Sequence, residues 1–382
     1  MIQRERLLAS LNHDEPDRVP IDLASTQVTG ISLVAYQNLR RHLGLAEENP
    51  LICDAIQQIV LPHDDIYEKF GIDMRGLWPV TNHTDFVDKD DGEYLSHVDE
   101  WDFKYRRHKD KGLWYDLYEH PLGFDTITPA QVAEYVFPKG SDPNRIEGLR
   151  ERAVRIREAG FAVVLKTVCA GLFEMHIRIR GMQNAMLDLM MDQQTAAKLL
   201  DGVLQYKIEY WEMVLAELGD LVDVVAEGDD FGTQASQLIS LDTWRSIIKP
   251  RQAELIQTLQ KRAPSAKIFF HSCGNIRPFL PEFIDMGIDI INPVHITAQG
   301  MEPGQLKKDF GRDVVFWGGG IDTQDILPNG TVEQVKDGVK RSLDIFAPGG
   351  GYVFNAIHNI QADVPPENIV AMYETVLEYG WY

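Results

Sequence analysis

Three cysteines in 382 residues, Cys53, Cys169 and Cys273, are too few and too scattered for a disulfide framework, and point to reduced thiols. No run of about 18 apolar residues occurs, so no membrane-spanning helix is expected. Positive charge is also short: 37 Lys and Arg stand against 58 Asp and Glu, a net charge of −21. A surface of that sign repels phosphate and argues against a nucleic-acid partner. It is compatible with a basic partner protein, or simply with solubility. The missing GxGxxG after an early strand weakens a dinucleotide-binding fold. The opening Met1–Leu8 reads as an amphipathic helix whose apolar stretch is too short for a signal peptide, so a cytoplasmic location is expected.

What the chain does have is a balance of 44% hydrophobic and 25% charged residues, enough for a sizeable core. From Asn144 onward, short apolar runs alternate with helical patterns. The runs are Phe161–Leu165, Val222–Ala226, Lys267–Phe270, Ile288–Ile291, Val314–Trp317 and Tyr352–Phe354. The helices are Gln193–Leu218, Leu241–Ala263, Thr331–Phe346, which opens on a capping-box pattern, and Pro365–Tyr379, with proline in its first turn. Alternating units of this length require a parallel sheet covered on both faces. The fold expected is a single-domain (β/α)8 TIM barrel spanning residues 1–382. Residues 1–79 are expected to be a mostly helical N-terminal extension, with Asp17–Leu23 a loop entering a strand. The aromatic-rich stretch 94–122 flanks a Lys109-Asp110-Lys111-Gly112 turn and reads as an inserted β-hairpin.

In such a barrel, chemistry gathers where strands end. Phe270-His271-Ser272-Cys273 puts an imidazole and a thiol two residues apart, a donor pair suited to Zn²⁺, or else a pair with a structural or substrate-binding role. Glu227-Gly228-Asp229-Asp230 ends the preceding strand; Glu227 is the candidate to complete a Glu/His/Cys site, and one of the two aspartates is the natural helix cap. Asn355 through Asn359 ends the last strand, with His358 facing a ligand or satisfied in the core. Trp317-Gly318-Gly319-Gly320-Ile321-Asp322 lets backbone approach a ligand closely, Asp322 being either a ligand contact or a cap. Asn292-Pro293-Val294-His295 adds polar lining.

His271–Gly274, Phe316–Asp322, Gly351–His358, Asp363–Asn368 and the opening Arg4–Arg6 through Pro16–Pro20 together resemble the motifs of the uroporphyrinogen decarboxylase superfamily. The resemblance covers nearly the whole chain. One branch of that superfamily decarboxylates porphyrinogen acetates without a cofactor, using arginines of an N-terminal motif to hold carboxylates. Here Val19–Leu39 contains no Arg or Lys. The other branch consists of zinc methyltransferases that exchange a methyl group with a separate corrinoid protein, through a His-x-Cys pair and a later Cys near a Pro-Gly turn. His271 and Cys273 match the pair; Pro348-Gly349-Gly350 stands where the third cysteine would be.

The resemblance therefore implies a methyltransferase in which zinc is held by Glu227, His271 and Cys273, with His358 as an outside candidate for the third ligand. Zinc with one position left open is a Lewis acid for the oxygen of a methyl ether such as a methoxylated aromatic. Cobalamin on a partner corrinoid protein would receive the methyl. Asp229, His358 and Asp322 are the catalytic candidates. Asn292, Asn355, Asn359 and Trp317 are the substrate-binding ones. A homodimer is compatible with the sequence. The rival is a metal-free decarboxylase of a smaller acid using His358 and Asp229 as acid and base; a non-catalytic ligand-binding barrel is the third reading.

Overall fold

The computed structural model describes residues 1–80 and 88–382. Seven strands pair in parallel and in chain order: β1 (Met74–Leu77), β2 (Ala162–Lys166), β3 (Val224–Gly228), β4 (Lys267–His271), β5 (Ile290–Asn292), β6 (Val315–Trp317) and β7 (Tyr352–Val353). The gap between β7 and β1 is closed by Pro20–Asp22. The Phe354 amide donates to the Pro20 carbonyl (2.8 Å), the Asp22 amide to the Phe354 carbonyl (2.9 Å) and the Asp73 amide to the Ile21 carbonyl (3.0 Å). With this eighth stave the sheet has no free edge, and the expected TIM barrel is the fold. The stave that closes the barrel comes first in the sequence, where the Asp17–Leu23 loop leads into it.

Strands buried on both faces read as continuous apolar runs. All five residues of β2, Ala-Val-Val-Leu-Lys, are buried, and each large apolar side chain so enclosed contributes about 1.5–3 kcal/mol. The helix Gln193–Leu218 lays Leu199, Leu200, Val203, Tyr210, Trp211, Val214 and Leu218 against the barrel at helical spacing. The helix after Ser240 has its first turns capped by the Ser240 hydroxyl, which accepts from the Thr243 amide at 3.0 Å. A π-helical turn over Trp244–Ile248 then interrupts it. Pro250 lies just beyond and has no amide hydrogen for the regular ladder, so the ladder shifts register there. Thr331 and Gln334 form the capping box expected of them.

The N-terminal 79 residues are less helical than expected. Gln3–Leu11, Leu33–His42 and Asp64–Lys69 are helices, but Ile31–Ser32, Ile59–Leu61 and Leu51–Asp54 form a three-stranded antiparallel sheet, and β1 is itself part of the barrel. Leu51-Ile52-Cys53 and Ile59-Val60-Leu61 are short apolar runs around a turn, too short to fill a helix. The hairpin about Lys109–Gly112 is present, pairing Lys104–His108 with Asp116–Glu119, and is extended by Lys89–Asp91 and Tyr94–Val98 into a four-stranded meander. Trp101, Phe103, Tyr105 and Tyr115 are buried, whereas Trp114 and Tyr118 stay exposed. The Trp101 ring packs 4.6 Å from Tyr206 of the long helix. Among the described residues, no helix is long and apolar enough to cross a membrane.

Candidate active site

His271 is the last residue of β4, and the chain continues extended to Cys273 at the C-terminal mouth of the barrel. His358 reaches the same point from the loop after β7. The donor atoms of His271, Cys273 and His358 all lie within 4.8 Å of one another, with the Cys273 Sγ 3.4 Å from the His271 Nε2. Tetrahedral zinc, with bonds of about 2.0 Å to nitrogen and 2.3 Å to sulfur, holds its ligands about 3.4–3.6 Å apart. The trio fits that ion with small adjustments and leaves one position for a substrate atom. Room for His271 comes from Gly228, its in-register neighbour on β3: a Cβ there would stand 2.8 Å from the His271 Cβ.

The trio is held from behind. Asn292 donates its Nδ2 to the Trp317 carbonyl (2.9 Å), which turns its Oδ1 toward His271 Nδ1 at 2.6 Å. His271 therefore carries its proton on Nδ1 and presents Nε2 to the mouth. Asp230 accepts from the Cys273 amide (2.8 Å), and its Oδ1 lies 3.6 Å from His271 Nε2. Burial lowers the His271 pKa against the raising effect of Asn292. Burial, with His271 and His295 nearby, holds His358 down to about 3. Burial, followed by Asp230 and Glu174, pushes the Cys273 thiol well above its ordinary value. Without a cation the site is two neutral imidazoles and a thiol, and a dication reverses the preference of the sulfur.

The structure does not bring Glu227 to this cluster. Strand alternation turns Gly228 and His271 inward, so Glu227 points out toward the long helix. There its carboxylate accepts from Lys207 Nζ (2.7 Å), Thr167 Oγ1 (2.9 Å) and Trp211 Nε1, all buried. His358 takes the place expected of Glu227. Asp229 is likewise diverted from catalysis. It caps the helix Leu172–Arg180, accepting from the Phe173 (2.8 Å) and Glu174 (3.0 Å) amides, and also from Gln252 Nε2 (3.1 Å). The close fit explains Gly171, where a Cβ would meet Asp229 at 2.2 Å. Asp322 accepts from the Gln324 (2.8 Å) and Asp325 (3.3 Å) amides as a turn cap.

Three of the substrate-binding candidates are also committed elsewhere. Trp317 donates Nε1 to Asp22 (2.9 Å) within the barrel core. Asn355 donates to the Asp22 (3.0 Å) and Thr29 (3.3 Å) carbonyls, and Asn359 to the Gln27 carbonyl (2.8 Å), tying the last strand end to the closing stave. Asn292 serves His271 rather than a ligand.

A cavity of about 230 Å³ opens beside the trio, with His271 and His358 in its wall. Its polar wall also includes Asp230 and Cys169, together with Lys166, Glu174, Arg178 and Asp54, which the sequence reading did not single out. Lys166 was findable, because it is the polar residue ending β2, where the strand-end rule that selected His271 also applies. Glu174 and Arg178 lie one turn apart on the helix Leu172–Arg180, with no local signal to mark them. Burial, reinforced by Asp230, raises the Glu174 pKa.

Comparison with known proteins follows this geometry. No curated protein matches the sequence. A methyltransferase from Methanosarcina mazei has a similar structure at 17% sequence identity, with 99% of each chain covered and a TM-score of 0.66, which is a likeness of fold. Xylanase 10B from Thermotoga maritima, at 9% identity over 62% of this chain and 81% of its own, reaches a TM-score of only 0.39, too loose a likeness to inform function. The family model described as uroporphyrinogen decarboxylase (URO-D) matches residues 124–379, from the end of the meander through the last helix and including every member of the metal-like trio. With about two thirds of its length so matched, this chain belongs to the uroporphyrinogen decarboxylase family.

Proposed function

We propose that the chain is a zinc-dependent methyltransferase that moves a methyl group from a small methyl ether, of the methoxylated aromatic kind, to the corrinoid of a separate protein. The observation that carries this reading is the convergence of His271, Cys273 and His358 on one point beside the cavity, whose wall holds the two histidines. The whole-length likeness to a methyltransferase fold supports it. Zinc at that point would supply Lewis acidity toward the ether oxygen, and one thiolate with two neutral imidazoles leaves it electrophilic. The protein's own residues do the rest. Asn292 fixes the His271 tautomer, and Asp230 holds the Cys273 backbone. Glu174, in the cavity wall with a carboxyl pKa that burial pushes up, is the group placed to hand a proton to the substrate oxygen. The C–O bond would break with both electrons remaining on that oxygen, which takes the proton, while the methyl would be taken by the electron pair of cobalt(I) in the partner's corrinoid.

A metal-free decarboxylase of a small acid is the second reading, favoured by Lys166 and Arg178 in the cavity wall. Asp229 is a cap and so unavailable as its acid or base. A cavity of about 230 Å³ is below the range of about 300–1,000 Å³ typical of drug-sized ligands, and small for a tetrapyrrole. The deciding test is elemental analysis of protein purified without chelator, wild type and H271A/C273A. About one zinc per chain, lost in the double variant, is expected; C273S should lower bound zinc and methyl transfer together. A wild type that takes up no zinc after reconstitution overturns the proposal and puts the decarboxylase first.

A further inference from the structure

Two cations face the cavity that holds the trio, and among the described residues neither pairs closely with a carboxylate. Lys166 is only 6% exposed, with its Nζ 4.8 Å from the centre of the Trp78 ring. Arg178 reaches the Tyr105 hydroxyl at 3.5 Å. Among the described residues, neither has a carboxylate oxygen within 4.0 Å. The acids of the same wall are engaged by amides instead. Asp54 accepts from the Gln57 amide (2.9 Å) and side chain (3.3 Å), Asp230 from the Cys273 amide (2.8 Å), and Glu174 from the Gly171 amide (3.3 Å). Asp54 acts on both cations, and Glu174 on Arg178, only from beyond ion-pair distance. A buried charge without a close partner is costly, and a cavity next to it is where a ligand can supply one.

The cations also have a definite place relative to the trio. Glu174 lies on the metal side, its carboxyl interacting with Asp230 and His271. Arg178 is four residues further along the same helix, about 6 Å at 1.5 Å per residue, and points toward the meander through Tyr105.

We propose that Lys166 and Arg178 form an anion subsite in this cavity, which takes the carboxylate of a substrate whose reacting group lies at His271, Cys273 and His358. The guanidinium supplies a planar fork for the two carboxylate oxygens and the ammonium a point charge. A benzoate with a methoxy group across the ring carries an acid and a methyl ether at opposite ends of one rigid molecule. The anion subsite stands on the two cations alone; the assignment of the methoxy end rests on the methyltransferase reading above.

The test is calorimetric binding of 4-methoxybenzoate and of its neutral isostere 4-methoxybenzamide to protein as purified, in wild type, K166M, R178M and R178K, with thermal unfolding confirming that each variant is folded. Methionine keeps the apolar stem of either side chain and removes a buried charge, so K166M is expected to fold. The acid should bind wild type at least about tenfold more tightly than the amide. K166M and R178M should each lose about tenfold for the acid with no change for the amide, and R178K, which keeps the charge without the fork, should fall between. Equal binding of acid and amide, no acid binding at millimolar concentration, or variants indistinguishable from wild type would overturn the subsite. The same acid is then assayed for methyl transfer and for CO2 release. A subsite that binds the acid while methyl transfer fails and CO2 appears would remove the methyltransferase reading and leave the subsite standing.

Discussion

Replacing Glu227 with glutamine separates a structural carboxylate from a metal ligand. The Glu227 and Lys207 side chains are 1% and 0% exposed, and their charges meet at 2.7 Å. E227Q leaves the Lys207 ammonium buried with no counter-ion, which costs about 3–5 kcal/mol. For 382 residues the unfolding entropy is about 0.8 kcal/mol per kelvin near 60 °C, so the midpoint should drop by roughly 4–6 °C. Adding K207M to E227Q removes both charges. The glutamine oxygen still accepts from Trp211, so most of the loss should return. Calorimetric unfolding of wild type and the two variants measures this, and metal analysis of the same samples gives the second half: E227Q at a temperature where it is folded should hold as much zinc as wild type. Loss of zinc with an unchanged midpoint would refute the assignment and restore Glu227 as a ligand.

Asn292→Leu, which cannot hold the His271 Nδ1–H, should weaken zinc binding by about 10–100-fold in a chelator competition, and an unchanged affinity would show that His271 needs no such support. Since Cys273 is protonated at neutral pH and both histidines are neutral, zinc uptake should release about one proton per chain and strengthen about tenfold per pH unit between pH 6.5 and 8. Calorimetry in buffers of different ionisation enthalpy reads that proton, and a value near zero counts against the thiol as ligand. His358 and His176 are held down to about 3 and about 4, mainly by burial. Their pKa values are depressed on folding, so the stability they contribute is full above the ordinary value of about 6.5 and is lost as pH falls from there toward 4 and 3. The midpoint of metal-free protein should therefore fall between pH 7 and 5, less steeply in H358N; a flat profile in wild type would contradict this.

The barrel was legible because seven of its eight staves sit in apolar runs or beside the loop expected to lead into one, and doubly buried parallel strands have no polar interruptions to blur them. β1, with the sequence Met-Arg-Gly-Leu, lacks that signature and was absorbed into an extension read as helical. At the site, residues that act at a strand end on their own strand's register were readable. His271 and Cys273 follow from two-residue periodicity, and His358 from its place after the last strand. What could not be read was the direction of a carboxylate among three close together. Glu227 faces outward, Asp229 turns to a neighbouring helix, and Asp230 faces the cavity. That sorting depends on Lys207, Trp211 and the helix at Leu172, all distant in sequence. Glu174 and Arg178 were invisible for the same reason: a helix face becomes a cavity wall only through packing.

The two aspartates at the end of β3 have consecutive numbers but hold different parts of the molecule. Asp229 grips the start of the helix that bears Glu174 and Arg178, and Asp230 grips the amide of Cys273. One peptide unit thus ties the start of the helix that bears both cavity-wall side chains to the strand end that bears Cys273, like the fixed hinge of a caliper. For a molecule bound as proposed, this link would set the span between the sites for its two ends, and lengthening the chain between 229 and 230 would change that span.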